Sequence, residues 1–370
     1  MECNGNASGE TARHVIRPAS ERASLGTHGE PYTAAMTPLD DPAYLPFKLD
    51  LVARRALLVR FDATQRREAA FLDERALPPR VDGAWIPLEP LLSLRDTAAC
   101  AHAIFHIGHC GSTLLSRLLE SWPGVQALRE PLPLRTLAEA WSQRTQPESW
   151  LSASEAQRCL EGLWTAWSRP FGGAQQAMIK ATSSCNALIE PLLDGHTRMR
   201  AILLDMPLRP YLATLLKSTD SSRDATAAAP GRLRDLRARC GDEDLVLHAL
   251  SVPQQCAMGW VAERLRFAAL ARAYGGRVLR VDFEQLLAEP ETMLARIAAH
   301  LGLAPKGVAA AMRSPAWGRY SKAQSHGYGR EDRAHDLMLA MQRHGTDIAL
   351  AEHWCDAFLQ RHPQVATEMG

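Results

Sequence analysis

Gly108, His109, Cys110, Gly111, Ser112 and Thr113 follow one another in the chain and combine flexible backbone, two hydroxyls and an imidazole. Glycines let several amides converge on one point, and hydroxyls add donors beside them, so this stretch has the chemistry of an anion-holding loop. Downstream, Arg129-Glu130-Pro131 offers a carboxylate able to take a proton from an attacking hydroxyl, unless Glu130 simply forms a surface pair with Arg129. Lys180, heading Lys180-Ala181-Thr182-Ser183-Ser184, offers a permanent charge against negative charge that develops during a transfer. His109 has an ordinary pKa of about 6.5, so it serves either as a cation raised by a bound anion or as a neutral donor that orients the loop.

These residues need elements to hold them in register. Ala103 to Ile107 is a continuous apolar run suited to a buried strand, and Leu114, Leu115, Leu118 and Leu119 continue past Ser112-Thr113 as a helix. A strand that turns through glycine into a helix points unpaired amides at the helix's positive end. Residues 125–128, 177–179, 201–204 and 277–283 read as further strands, which would deliver Glu130 and Lys180 to the carboxyl edge of one sheet. The spacing predicts helices over 63–77, 137–141, 153–167, 211–217 and 253–274, and a Pro-started one closed by Gly302. Asp82-Gly83 reads as a turn, the small, polar stretch from Ser218 to Pro230 as a solvated connector or a loop able to act as a lid, and Gly231 to Arg239 as a basic helix. The expected architecture is a three-layer α/β/α sandwich with a mainly parallel sheet.

Composition sets outer limits. The 370 residues are 46% hydrophobic and 22% charged, enough for a sizeable core. Lys and Arg total 42 against 41 Asp and Glu, so no general basic field argues for nucleic acid. The eight cysteines lack CxxC pairing, which suits reduced thiols. No apolar run reaches a membrane-spanning length, and the expectation is a cytoplasmic protein. Residues 1–40 read as a disordered leader, 41–98 as a small α+β extension, and 99–365 as the α/β domain. The extension is either a wall of a substrate pocket or inert packing.

The stretch from Ala103 to Leu119 resembles the 5′-phosphosulfate loop of the sulfotransferases, in which a basic residue, a small residue, Gly and two hydroxyl residues precede an apolar run. The segment VLRVDFEQLLAEPETMLARIAAHLGL resembles a second pattern of that family, at the place in the chain where the family has it. The resemblance implies a P-loop NTPase-like sulfotransferase fold and transfer of a sulfuryl group from 3′-phosphoadenosine 5′-phosphosulfate to a hydroxyl or amine, with no metal required. It implies that Gly108, His109, Cys110, Gly111, Ser112 and Thr113 bind the donor, and that Glu130, Lys180 and His109 are the catalytic set. By the same resemblance Arg209 and Thr214 fall where the family binds the 3′-phosphate, although Met206 or Asp205 stands where its first arginine belongs. The loop from Trp317 to Arg330, with Lys322, is matched with the family's C-terminal donor-site closure; a plain solvated loop is the competing reading.

Two other functions fit parts of the chain. Ala201 to Asp205 has the apolar-run-plus-aspartate form of a strand that holds Mg²⁺ in phosphotransferases, but the complete GxxxxGK[ST] loop is missing, since Ser112 takes the lysine's place. A catalytically silent nucleotide-binding module is the second. The acceptor, whether a small molecule, glycan, lipid or peptide, is not written in any motif, and neither is the oligomeric state.

Overall fold

The computed structural model describes residues 16–17, 37–95, 99–323 and 325–370. Apart from Ile16–Arg17 and the residues from 37 onward, the leader expected over 1–40 lies outside the described residues. Five strands form one sheet in the order β6-β7-β5-β8-β9: β5 (His102–His106), β6 (Val125–Arg129), β7 (Gln176–Lys180), β8 (Ala201–Asp205) and β9 (Val278–Asp282). Every pairing is parallel, with Ile104 opposite both Lys180 and Ile202. All five residues of β5, β6 and β8 are buried. Because successive side chains point to opposite faces, such strands must be covered on both, and helices flank the sheet. The expected strands thus lie together in one mainly parallel α/β sheet.

The extension forms a second sheet, ordered β1-β4-β3-β2, from β1 (Ile16–Arg17), β2 (Tyr44–Asp50), β3 (Arg55–Arg60) and β4 (Val81–Pro87). It shares the core rather than standing apart: one hydrophobic cluster runs from Leu39 and Phe61 through Trp164 and Leu204 to Met369. The Trp167 indole donates to the Pro46 carbonyl at 3.3 Å. A Cβ placed on Gly162, inside the helix Ala153–Ser168, would lie 1.9 Å from the Leu91 carbonyl oxygen, so only glycine permits that approach.

Three local expectations are corrected. Ser218 to Pro230 is not a connector but the first half of a helix, Thr219–Cys240, in which the Ser218 hydroxyl accepts from the Ser221 amide and Gly241 closes the end at φ 71°. Ala225, Ala229, Leu233 and Leu236 form its buried stripe. Its apolar face is made of alanines among serines and aspartates, which blurs the periodicity. Asp82 and Gly83 lie within β4, where a Cβ on Gly83 would sit 2.7 Å from the Leu58 carbonyl oxygen; this glycine serves strand contact, not a turn. The helix expected over 63–77 stops at Glu68, and only Glu74–Ala76 is helical again, as a 3₁₀ turn. The residues between them have another task.

Candidate active site

Between β5 and the helix Ser112–Leu119, the backbone takes positive φ at Gly108 (99°), His109 (50°) and Gly111 (78°). No side chain caps this helix, so its first amides, from Ser112 onward, have neither an intrahelical nor a capping partner. The loop is held from below. Buried Arg232 and Tyr211 donate to the Ile107 carbonyl at 3.1 and 3.2 Å, and buried Asn186 donates to the His106 carbonyl at 3.0 Å. Glu263 accepts from Asn186 and faces the Arg232 guanidinium at 3.2 Å. These bonds fix the His106 and Ile107 carbonyls from the core side. His106 adds a second brace: its Nδ1 accepts the Gly108 amide and its Nε2 donates to the Ala181 carbonyl, both at 3.0 Å. That tautomer is neutral, in keeping with a pKa held well below the ordinary value by burial and by Lys180.

Lys180 and Glu130 meet as a salt bridge where β7 and β6 end, with the lysine almost fully buried. Glu130 sits at φ 51°, a left-handed conformation that costs a residue with a side chain about 1–2 kcal/mol. The extension enforces it. The Leu72 amide donates to the Arg129 carbonyl at 2.7 Å, and the Leu72 carbonyl accepts from the Leu132 amide at 3.1 Å, so the chain on either side of Glu130 is clamped by one residue. The Glu130 amide itself donates to the Lys180 carbonyl at 2.7 Å. Arg129 is fully buried: it donates to the Arg67 and Ala69 carbonyls, each at 3.0 Å, and pairs with Glu120 rather than with Glu130. This clamp is why the helix starting at Ala63 stops early.

The C-terminal loop comes to the same place. Arg117, on the helix that opens at Ser112, donates to the Ser321 carbonyl at 2.8 Å, which seats the neighbouring Lys322 near the anion loop. Lys322 is exposed to solvent, yet the crowding around its ammonium and the neighbouring Lys180 lower its pKa. His109 is pushed down to about 4, first by burial and then by Lys322, against the opposing pull of Asp224. Its Nδ1 lies 3.4 Å from the Ser221 hydroxyl and its Nε2 3.6 Å from Asp224. The imidazole is therefore neutral at ordinary pH, and the permanent positive charge at the loop is that of Lys180 and Lys322.

A pH effect follows. A dianion bound at the loop favours protonated His109, raising its pKa from about 4 in the free protein, so binding takes up a proton and strengthens as pH falls through the raised value. Calorimetric titration with sulfate, a dianion that does not itself titrate near pH 6, in buffers of different ionisation enthalpy, should show that uptake. His109→Arg should bind at least as tightly without it.

Other sequence candidates are engaged elsewhere. Arg209 forms a two-pronged pair with Glu352, at 2.9 and 2.6 Å, and the Thr214 hydroxyl donates to the Pro210 carbonyl of its own helix at 2.8 Å. Lys217 pairs with Asp336 at 2.9 Å, and Met206 is buried. The Cys110 thiol donates to the Leu204 carbonyl at 3.3 Å and is pushed up to about 12 by burial, so it is packed, not reactive. Asp205 faces Arg264 and Arg280 at 3.4 and 3.3 Å.

Residues absent from the sequence argument also shape the site: Arg232, Glu263, Asn186 and Tyr211 beneath the loop, Ser221 and Asp224 against His109, and Phe71, Arg75 and Arg135 around Glu130. Arg232 and Glu263 carried one usable signal, as charged residues inside otherwise apolar helical faces.

No protein-family model matches the chain, and no curated protein matches it. Solved structures that it resembles in fold are sulfotransferases. A sulfotransferase domain from the curacin biosynthetic pathway superposes with a TM-score of 0.41 at 12% identity, over 67% of this chain and 91% of that one. One from the Synechococcus PCC 7002 olefin synthase gives 0.36 at 16% identity, over 72% and 96%. A sulfotransferase from Mycobacterium avium gives 0.37 at 10%, over 69% and 79%.

Proposed function

We propose that this protein transfers a sulfuryl group from 3′-phosphoadenosine 5′-phosphosulfate to an acceptor hydroxyl. The observation that carries this reading is the meeting of Glu130, Lys180 and Lys322 beside a loop whose amides open a helix. The loop amides and the Ser112 and Thr113 hydroxyls suit the 5′-phosphate. The acceptor oxygen forms its bond to sulfur while the bond from sulfur to the 5′-phosphate oxygen breaks, and adenosine 3′,5′-bisphosphate leaves. The acceptor proton passes to Glu130. Lys180, drawn toward the negative charge gathering on the leaving oxygen, loosens its hold on Glu130 at the moment a base is needed. Lys322 balances the remaining donor charge.

The phosphotransferase alternative needs Asp205 free to hold Mg²⁺, whereas this carboxylate faces two arginines. Two measurements test the reading. Adenosine 3′,5′-bisphosphate without metal should raise the melting temperature, while ATP with Mg²⁺ should not. Mass spectrometry of hydroxyl acceptors incubated with enzyme and donor should then detect addition of one sulfuryl group; protection by ATP and Mg²⁺ alone would sink the proposal.

A further inference from the structure

Several cations stand around Glu130. Lys180 takes one oxygen of its carboxylate, and the Arg135 guanidinium stands 3.8 Å from the other, too far for a hydrogen bond. Arg75 lies close enough to feel Glu130 but is already held by Asp73, and it stacks on the Phe71 ring, 3.8 Å from its centroid. Lys322 reaches toward the same ring, 6.0 Å away. Arg75 is held by Asp73, whereas Arg135, on the helix Leu132–Gln143 and about two-fifths open to solvent, is at ion-pair distance from Glu130 alone among the described residues.

Resting on the sulfuryl-transfer reading, we propose that the acceptor is a small hydroxy acid. Its hydroxyl meets Glu130, and its own anionic group sits on Arg135. A cation needed only to steady Glu130 would close to hydrogen-bond distance, as Lys180 does; one held back at 3.8 Å leaves its donors for an incoming anion. The anion also makes good the charge that Glu130 gives up when it takes the acceptor proton.

The test uses the full chain saturated with adenosine 3′,5′-bisphosphate and calorimetric titration with 4-hydroxybenzoate and its neutral isostere 4-hydroxybenzamide. The acid should bind at least about tenfold more tightly than the amide, a difference typical of one charge-assisted contact. Arg135→Gln should bring the two within about twofold of each other, and Arg135→Lys should restore part of the preference. Equal binding of acid and amide, no binding of either, or a preference that survives in Arg135→Gln would each overturn the inference while leaving donor binding intact. If the bisphosphate itself fails to bind, the sulfuryl-transfer reading falls, and the acceptor inference falls with it.

Discussion

Glu130→Gln is expected to lower turnover on the order of 10²-fold or more while leaving affinity for adenosine 3′,5′-bisphosphate within a few-fold, because the amide keeps the size of the side chain but cannot take the acceptor proton. Lys180→Met should fail differently, losing donor affinity and turnover together, since its charge acts on the bound donor and on the transition state alike. Direct contact between these side chains adds a condition that their separate positions in the chain do not reveal. Glu130→Gln leaves the nearly buried Lys180 without its partner, at a cost of about 3–5 kcal/mol in stability, whereas Lys180→Met leaves Glu130 the more distant Arg135 and so costs less. The double variant, Glu130→Gln with Lys180→Met, should therefore be more stable than Glu130→Gln alone and still inactive. Denaturant unfolding and single-turnover rates across the four proteins separate the two contributions. Normal turnover in Glu130→Gln would make Glu130 a structural carboxylate, and exposed His326 would be the next base to examine.

The second large effect is expected at Gly111. Viewed from the sequence alone, a side chain there would intrude on a bound phosphate. The packed structure places a nearer obstacle, since a Cβ would lie 2.0 Å from the Phe283 ring, which is itself buried. Gly111→Ala thus combines overpacking of about 1–3 kcal/mol with the cost of about 1–2 kcal/mol for a left-handed alanine at φ 78°. The variant should lose several degrees of melting temperature and all protection by the bisphosphate. Adding Phe283→Leu should recover part of the stability and little of the binding, because the backbone strain remains. Full stability in Gly111→Ala alone would show that the ring moves freely.

How much of this was legible follows from how local each signal is. The strands of the parallel sheet announced themselves as apolar runs bounded by glycine and proline, and the turn from β5 into the next helix as glycines ahead of paired hydroxyls. Glu130 and Lys180 were legible as neighbours because each stands just past the end of such a run. What stayed hidden was built from contacts distant in the chain. Arg232 and Glu263 brace the loop from two different helices, and no spacing rule links them to Ile107. The second half of the helix Thr219–Cys240 was legible as a basic helix over 231–239, but its first half was obscured by an alanine-rich face, and with it the positions of Ser221 and Asp224 beside His109. The clamp at Leu72 is made by backbone groups, which carry no residue signature at all.

That clamp has a kinetic consequence. The Glu130 corner takes shape only once residues 67–72 have docked against residues 129–132, across some sixty positions of chain, and the loop after β5 is braced only once Tyr211 and Arg232 reach the Ile107 carbonyl, across more than a hundred. Closing such long loops carries an entropic cost before their hydrogen bonds repay it. During refolding, the loop and the Glu130 corner should therefore form late and together, and stopped-flow refolding that follows nucleotide binding and turnover side by side should find the two returning at one rate.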